Sequence, residues 1–105
     1  MAENNSFKKI ALKEAKSLIK DEDLLLFDIR DKNSFDQSRI KNAINLNNHN
    51  IDDIVKKTEH KKSILIYCYK GISSQNVAQH FCNLGFENVY SLDGGYESFF
   101  EDEKR

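Results

Sequence analysis

The sequence predicts an α/β domain on a mainly parallel sheet, and three observations carry that expectation. Short apolar runs alternate with amphipathic segments along the whole chain, as in strands joined by crossover helices. The run at 24–29 does not alternate apolar with polar, which marks a strand covered on both faces. The length of 105 residues suits a single domain, 1–105, with a core over about 7–100 between a polar N-terminus and a charged C-terminal tail.

In order, residues 7–10 read as a short first strand, and 13–19 follow with Ala15, Leu18 and Ile19 at helical spacing. Residues 24–29 are the buried strand, 32–37 one or two helical turns, and 43–46 a short strand. Ile51, Ile54 and Val55 mark the inner face of a helix over about 50–57; a charged connection at 59–62 then leads to a strand at 64–67. The next helix has the clearest signals. Ser73 or Ser74 is placed to cap its start, Val77, Ala78, Phe81 and Leu84 form its buried stripe, and Gly85 ends it in a left-handed conformation. Residues 88–92 form the last strand, 94–100 begin a final helix, and 101–105 read as a solvated tail. With no proline in the chain, turns rest on glycine, asparagine and aspartate.

Composition excludes several classes of function. Sixteen basic against 17 acidic side chains leave a net charge of −1, no basis for nucleic-acid or membrane-surface binding. No apolar run approaches the ~20 residues of a bilayer span, and residues 1–10 lack a secretory h-region, so the expected location is cytoplasmic. Two cysteines, Cys68 and Cys82, are too few for a disulfide scaffold. With a helix starting near Ser73 they lie roughly 13 Å apart at 1.5 Å per residue, beyond the ~7 Å Cα separation of a disulfide. His49, His60 and His80 share no metal-ligand spacing with them, so no metal is expected.

The candidate for chemistry is Cys68. It ends the strand at 64–67 and opens a six-residue loop, 68–73, that contains Gly71 and runs into a helix start. In open α/β sheets ligands gather beyond the carboxyl ends of strands. A loop this short can turn its amides toward the sulfur, where they and the helix N-terminus favour a thiolate. Lys70 is the loop's only side-chain cation, so the implied chemistry is transfer of a group that is negatively charged while bound to sulfur. The competing reading makes Cys68 a small buried hydrophobe; Cys82, beside Ala78 and Phe81, receives that reading outright. Phosphatase chemistry is the other rival. Its loops close on an arginine that binds the oxyanion bidentately; here that position is Ser74, the loop is one residue shorter, and no arginine occurs between Arg39 and Arg105.

Four segments in this order resemble the rhodanese family of sulfurtransferases, in particular its small single-domain thiosulfate sulfurtransferases. They are Asp28-Ile29-Arg30; Phe35 through Ile40 to Ala43-Ile44-Asn45-Leu46; the loop Cys68-Tyr69-Lys70-Gly71-Ile72-Ser73-Ser74; and Leu92-Asp93-Gly94-Gly95-Tyr96. The chain departs from the family pattern at Ser38-Arg39, where glycine-histidine is usual, at Asn42 in place of a glycine, and at Tyr96 in place of tryptophan. The resemblance implies a five-stranded mainly parallel sheet with helices on both faces. It also implies a double displacement in which Cys68 takes the outer sulfur of thiosulfate as a persulfide and passes it to cyanide or a thiol, possible protein thiols included, without a cofactor.

Under that reading Tyr69, Lys70, Gly71, Ile72, Ser73 and Ser74 line the substrate site. Lys70 attracts the sulfonate end, and the Ser73 and Ser74 hydroxyls serve either the sulfur or the helix cap. Asp28 and Arg30 brace the neighbouring loops, and Gly94 and Gly95 allow close backbone packing. Two alternatives remain: a rhodanese-like relay or binding module loaded by a partner protein, and a redox sensor, for which no resolving cysteine is placed.

Overall fold

The computed structural model describes residues 6–105; the polar segment read at 1–5 lies outside them. Ten elements follow one another: β1 (Lys8–Ile10), α1 (Leu12–Ile19), β2 (Leu25–Asp28), α2 (Lys32–Gln37), β3 (Ile44–Asn45), α3 (Ile51–Lys57), β4 (Ser63–Tyr67), α4 (Ser73–Asn83), β5 (Asn88–Leu92) and α5 (Gly95–Glu103). The five strands form one sheet in the order β1-β5-β4-β2-β3, and every pairing is parallel. The expected α/β architecture is what is found, and the strand order supplies what periodicity could not.

The apolar runs form strands because both sides of the sheet are covered. Along β4 the side chains alternate between two clusters. Ile64 and Ile66 join Phe27, Ala78, Phe81, Cys82 and Phe86, with Ile51, Ile54, Val55 and Val77 packed alongside. Leu65 and Tyr67 join Ile10, Ala15, Leu26, Ile40 and Leu92, with Leu18, Ile19, Tyr96 and Phe99 alongside. Helices α3 and α4 therefore cover one face, α1 and α5 the other. Each fully buried side chain of this size contributes about 1.5–3 kcal/mol. Ile64, Leu65, Ile66 and Tyr67 are all at 0% exposure, so β4 is the most firmly held strand, and Cys68 is its direct continuation.

Three local expectations need correction. Helix α5 runs on to Glu103 instead of ending before a solvated tail, and Asp102 in its last turn pairs with Lys16 on α1. The buried stripe of α4 is Ser74, Ala78, Phe81 and Cys82; Leu84 falls at the C-cap and is 39% exposed. Neither Ser73 nor Ser74 caps α4: Ile72 holds the cap position and makes no side-chain hydrogen bond. At the other end Gly85 does adopt the left-handed backbone.

Because all strands run the same way, the carboxyl ends of β2, β4 and β5 meet at one edge. Asp28, Tyr67 and Leu92 end these strands. The segments just beyond them bring Arg30, the Cys68 loop and Gly94-Gly95 together.

Candidate active site

The loop after β4 curls around the Cys68 sulfur. Sγ accepts the backbone N–H of Gly71 at 3.2 Å and that of Ser74 at 3.3 Å, and lies 3.4 Å from the Ser74 hydroxyl. This explains the missing cap. A helix leaves its first N–H groups without partners, and a side-chain oxygen at the cap position normally takes one. Here the Cys68 sulfur takes the Ser74 N–H of α4, which frees the Ser74 hydroxyl to turn toward the same sulfur.

Cys68 is only 4% exposed, and burial pushes its thiol up. The Ser74 hydroxyl and the N–H groups of Ser74, Gly71 and Lys70 pull the other way and prevail, so the thiol lies below its ordinary value. The largest contributions to that balance come from burial, a hydroxyl and main-chain N–H groups.

The loop is held in shape by α5. The N–H of Tyr96 donates to the Cys68 carbonyl at 2.8 Å, and that of Glu97 to the Tyr69 carbonyl at 3.0 Å. This contact requires glycine at 95: with φ at +59°, a Cβ there would stand 2.6 Å from the Cys68 carbonyl oxygen. Gly71, at φ +90°, packs against the backbone of Gly94, where a Cβ would lie 2.7 Å from the nitrogen. A Cβ on Gly94 would instead meet the Ser98 side chain, so Gly94 approaches the loop through its backbone nitrogen.

Arg30 and Asp28 form a buried pair with side chains at 4% and 0% exposure, Nη2 to Oδ2 2.7 Å. The Arg30 Nε donates to both carboxylate oxygens, at 3.1 and 3.0 Å, and Nη2 also donates to the Ser38 carbonyl at 2.6 Å. The guanidinium lies 4.0 Å from the centre of the Tyr96 ring, with the Tyr67 and Tyr69 rings at 5.7 and 5.9 Å. Arg30 thus ties the ends of β2 and β4 to the start of α5.

Two of the departures from the family pattern, Ser38 and Tyr96, fall in this same place. Ser38, far from Cys68 in sequence, hydrogen-bonds the Tyr96 hydroxyl, a bond that tyrosine at 96 makes possible. Asn42 takes a left-handed φ of +72°, which asparagine tolerates better than most residues, so the turn from Ile40 to Ala43 still closes.

The remaining loop side chains face outward. Tyr69 and Lys70 border a cavity of about 380 Å³ with Tyr96, Glu97 and Phe100, and the Tyr69 hydroxyl is 3.1 Å from that of Ser34. Ile72 is 72% exposed, and Ser73 is exposed beside it. The loop therefore divides into an inward part, Cys68, Gly71 and Ser74, and an outward part, Tyr69, Lys70, Ile72 and Ser73. Ser91 is the site residue that sequence reasoning missed: its hydroxyl meets that of Ser74 at 2.8 Å, with both residues at no more than 1% exposure. The signal was present as a lone serine in an apolar strand, since a buried hydroxyl needs a partner.

A parallel α/β fold whose central strand delivers a cysteine into a ring of main-chain N–H groups defines a class of protein built for chemistry at sulfur. The chain belongs to the rhodanese family: the Rhodanese-like domain matches residues 11–102. It is 42% identical over 93 residues to the thiosulfate sulfurtransferase GlpE of Coxiella burnetii (strain RSA 331 / Henzerling II), covering 89% of this chain and 87% of that one. It is 39% identical over 97 residues to the GlpE of Shewanella oneidensis, covering 92% and 96%. In fold it is similar to the human single-domain sulfurtransferase TSTD1, with a TM-score of 0.77 at 18% identity over 95% of this chain and 97% of that one. The family and these names support sulfurtransfer as the general activity. Among the described residues no helix is long and apolar enough to cross a membrane.

Proposed function

We propose that this protein is a thiosulfate sulfurtransferase working through a persulfide on Cys68. The observation that carries the reading is the pair of N–H groups, from Gly71 and Ser74, aimed at a buried sulfur. A buried anion without such donors is strongly disfavoured. The Cys68 thiolate attacks the outer sulfur of thiosulfate, the S–S bond of the donor breaks, and sulfite leaves with the bonding pair. The outer sulfur, now joined to Sγ, carries the negative charge. Cyanide or a thiolate then attacks it, takes the sulfur, and returns Cys68 as thiolate. Charge balances in both halves, and neither half needs a general base or a cofactor.

The roles divide as the loop does. Gly71 and Ser74 hold the reacting sulfur, while Lys70, at the rim beside Tyr69, draws in the dianionic donor. Asp28, Arg30 and Gly95 keep the loop in shape. Ser74 stands where a phosphatase loop would place its arginine, and its hydroxyl faces sulfur; the site therefore favours one added sulfur over a tetrahedral oxyanion. The balanced charge of the chain gives no reason to expect a nucleic-acid or membrane partner.

Mass spectrometry after thiosulfate treatment tests the covalent step. The expected result is a gain of about 32 Da on the peptide containing Cys68, one sulfur atom as a persulfide requires, with sulfite released in equal amount. Sulfite release with no adduct on Cys68 would remove the mechanism. Persulfide loading from a desulfurase with no turnover of thiosulfate would make the protein a relay instead.

A further inference from the structure

The geometry points to Ser91 as a positioning residue, whose hydroxyl holds that of Ser74 turned toward the Cys68 sulfur. The inference rests on the reading of Cys68 as the reacting group. Ser91 sits on β5 in register with Ile66 of β4, two residues before Cys68. Its neighbours Val89 and Leu92 are buried and apolar, and Ser91 itself is 1% exposed. A hydroxyl at such a place is unfavourable without a partner, and its partner is Ser74 Oγ at 2.8 Å. Three buried groups thus form a chain: Ser91 Oγ, Ser74 Oγ and Cys68 Sγ, with the second link at 3.4 Å.

Each hydroxyl has one proton to give. When Cys68 is a thiol, its S–H can donate to Ser74, whose proton then points to Ser91. When Cys68 is a thiolate, sulfur only accepts. Ser74 must turn its proton to the sulfur, and its oxygen then accepts from Ser91. The two protonation states therefore use the chain in opposite directions. Only the second direction ends on a charge, and bonds to a charged group are about twice as strong and polarise their neighbours. Ser91 consequently favours the thiolate without touching it. Burial, the Ser74 hydroxyl and main-chain N–H groups account for the balance at the sulfur. The ionisable side chains around the loop, Lys70 on the loop and Glu97 on α5, lie at the outward cavity, and Asp28 and Arg30 beyond β2 neutralise each other.

The test titrates the Cys68 thiolate by its ultraviolet absorbance in a Cys82→Ser background, for Ser91, Ser91→Ala and Ser91→Thr. Ser91→Ala is expected to raise the midpoint by about half to one pH unit, a threefold to tenfold fall in the acid dissociation constant of the thiol. Sulfite release should fall by the same factor at pH values below both midpoints and recover at higher pH. Ser91→Thr keeps the hydroxyl and should restore the midpoint. A Ser91→Ala curve superimposed on that of Ser91 overturns the inference, as do equal shifts in Ala and Thr, which would indicate packing. The titration does not depend on turnover. Failure of the parent protein to release sulfite would refute the proposed activity, while the titration would still decide the role of Ser91.

Discussion

Cys68 and Cys82 are each 4% exposed and each a free thiol, yet their surroundings act on them in opposite directions. Cys82, in the last turn of α4, packs in the cluster of Phe27, Phe81 and Phe86, and burial pushes its thiol up. Cys68 suffers burial as well, but its sulfur meets two main-chain N–H groups and a hydroxyl, and its thiol is lowered. Exposure therefore does not separate a thiol held below its ordinary pKa from one pushed above it in this fold; the supply of hydrogen-bond donors at the sulfur does. The donors exist because Cys68 directly follows a strand and faces a helix start, whereas Cys82 lies within a helix whose own N–H groups are already paired.

The largest effect that tests this contrast is chemical. Cys68→Ser is expected to lower thiosulfate-to-cyanide sulfur transfer at least about 10³-fold, as loss of a nucleophile does. Cys82→Ser should stay within about twofold of the parent protein. Thiocyanate formation is the measurement, and comparable losses in both variants would erase the distinction. Next in size is the frame that gives the loop its shape. Arg30→Ala leaves Asp28 charged at 0% exposure without its partner and should cost about 3–5 kcal/mol in urea unfolding. A loss below about 1 kcal/mol would mean that the pair does not brace the site.

Lys70 separates attraction of the donor from activation of the sulfur. Lys70→Ala should raise KM for thiosulfate about threefold to tenfold while leaving kcat nearly unchanged. An unaltered KM would make it a surface lysine. The smallest effect is in stability against pH. Cys68 has a lowered folded-state pKa, so its ionisation adds stability that is fully present above the unfolded thiol value of about 8.5 and is lost as pH falls through the folded value. Cys82 has a raised pKa, so its contribution is fully present below the unfolded value and is lost as pH rises through the folded one. Between neutral and alkaline pH the stability difference between parent and Cys68→Ser should grow, and that between parent and Cys82→Ser should shrink. Slopes of the same sign in urea titrations would contradict the assignment.

Much of this contrast was legible in the residues. The near-continuous apolar runs marked β2 and β4, and a cysteine at the end of one, followed by a short glycine loop, marked the candidate site. Other features were not legible, for definite reasons. The expectation that Ser73 or Ser74 caps α4 followed from local chemistry, but a sulfur from the preceding strand occupies that place, and only the folded path of the loop brings it there. The extension of α5 through Glu101 and Asp102 has no apolar periodicity to announce it, and its contact with Lys16 spans 86 residues of sequence. The bond from Ser38 to Tyr96 and that from Ser91 to Ser74 join distant segments, so each serine looked unremarkable alone. Spacing within one segment reveals elements and loops; hydrogen bonds between segments need the strand order.

The most direct test of the donor argument labels both cysteines in one native sample with iodoacetamide across a range of pH and reads each peptide by mass spectrometry. Cys68 should react with a midpoint below the ordinary thiol value of about 8.5, while Cys82 stays unlabelled until the protein unfolds. A Cys68 midpoint at or above that value, or equal labelling of the two, would contradict the account.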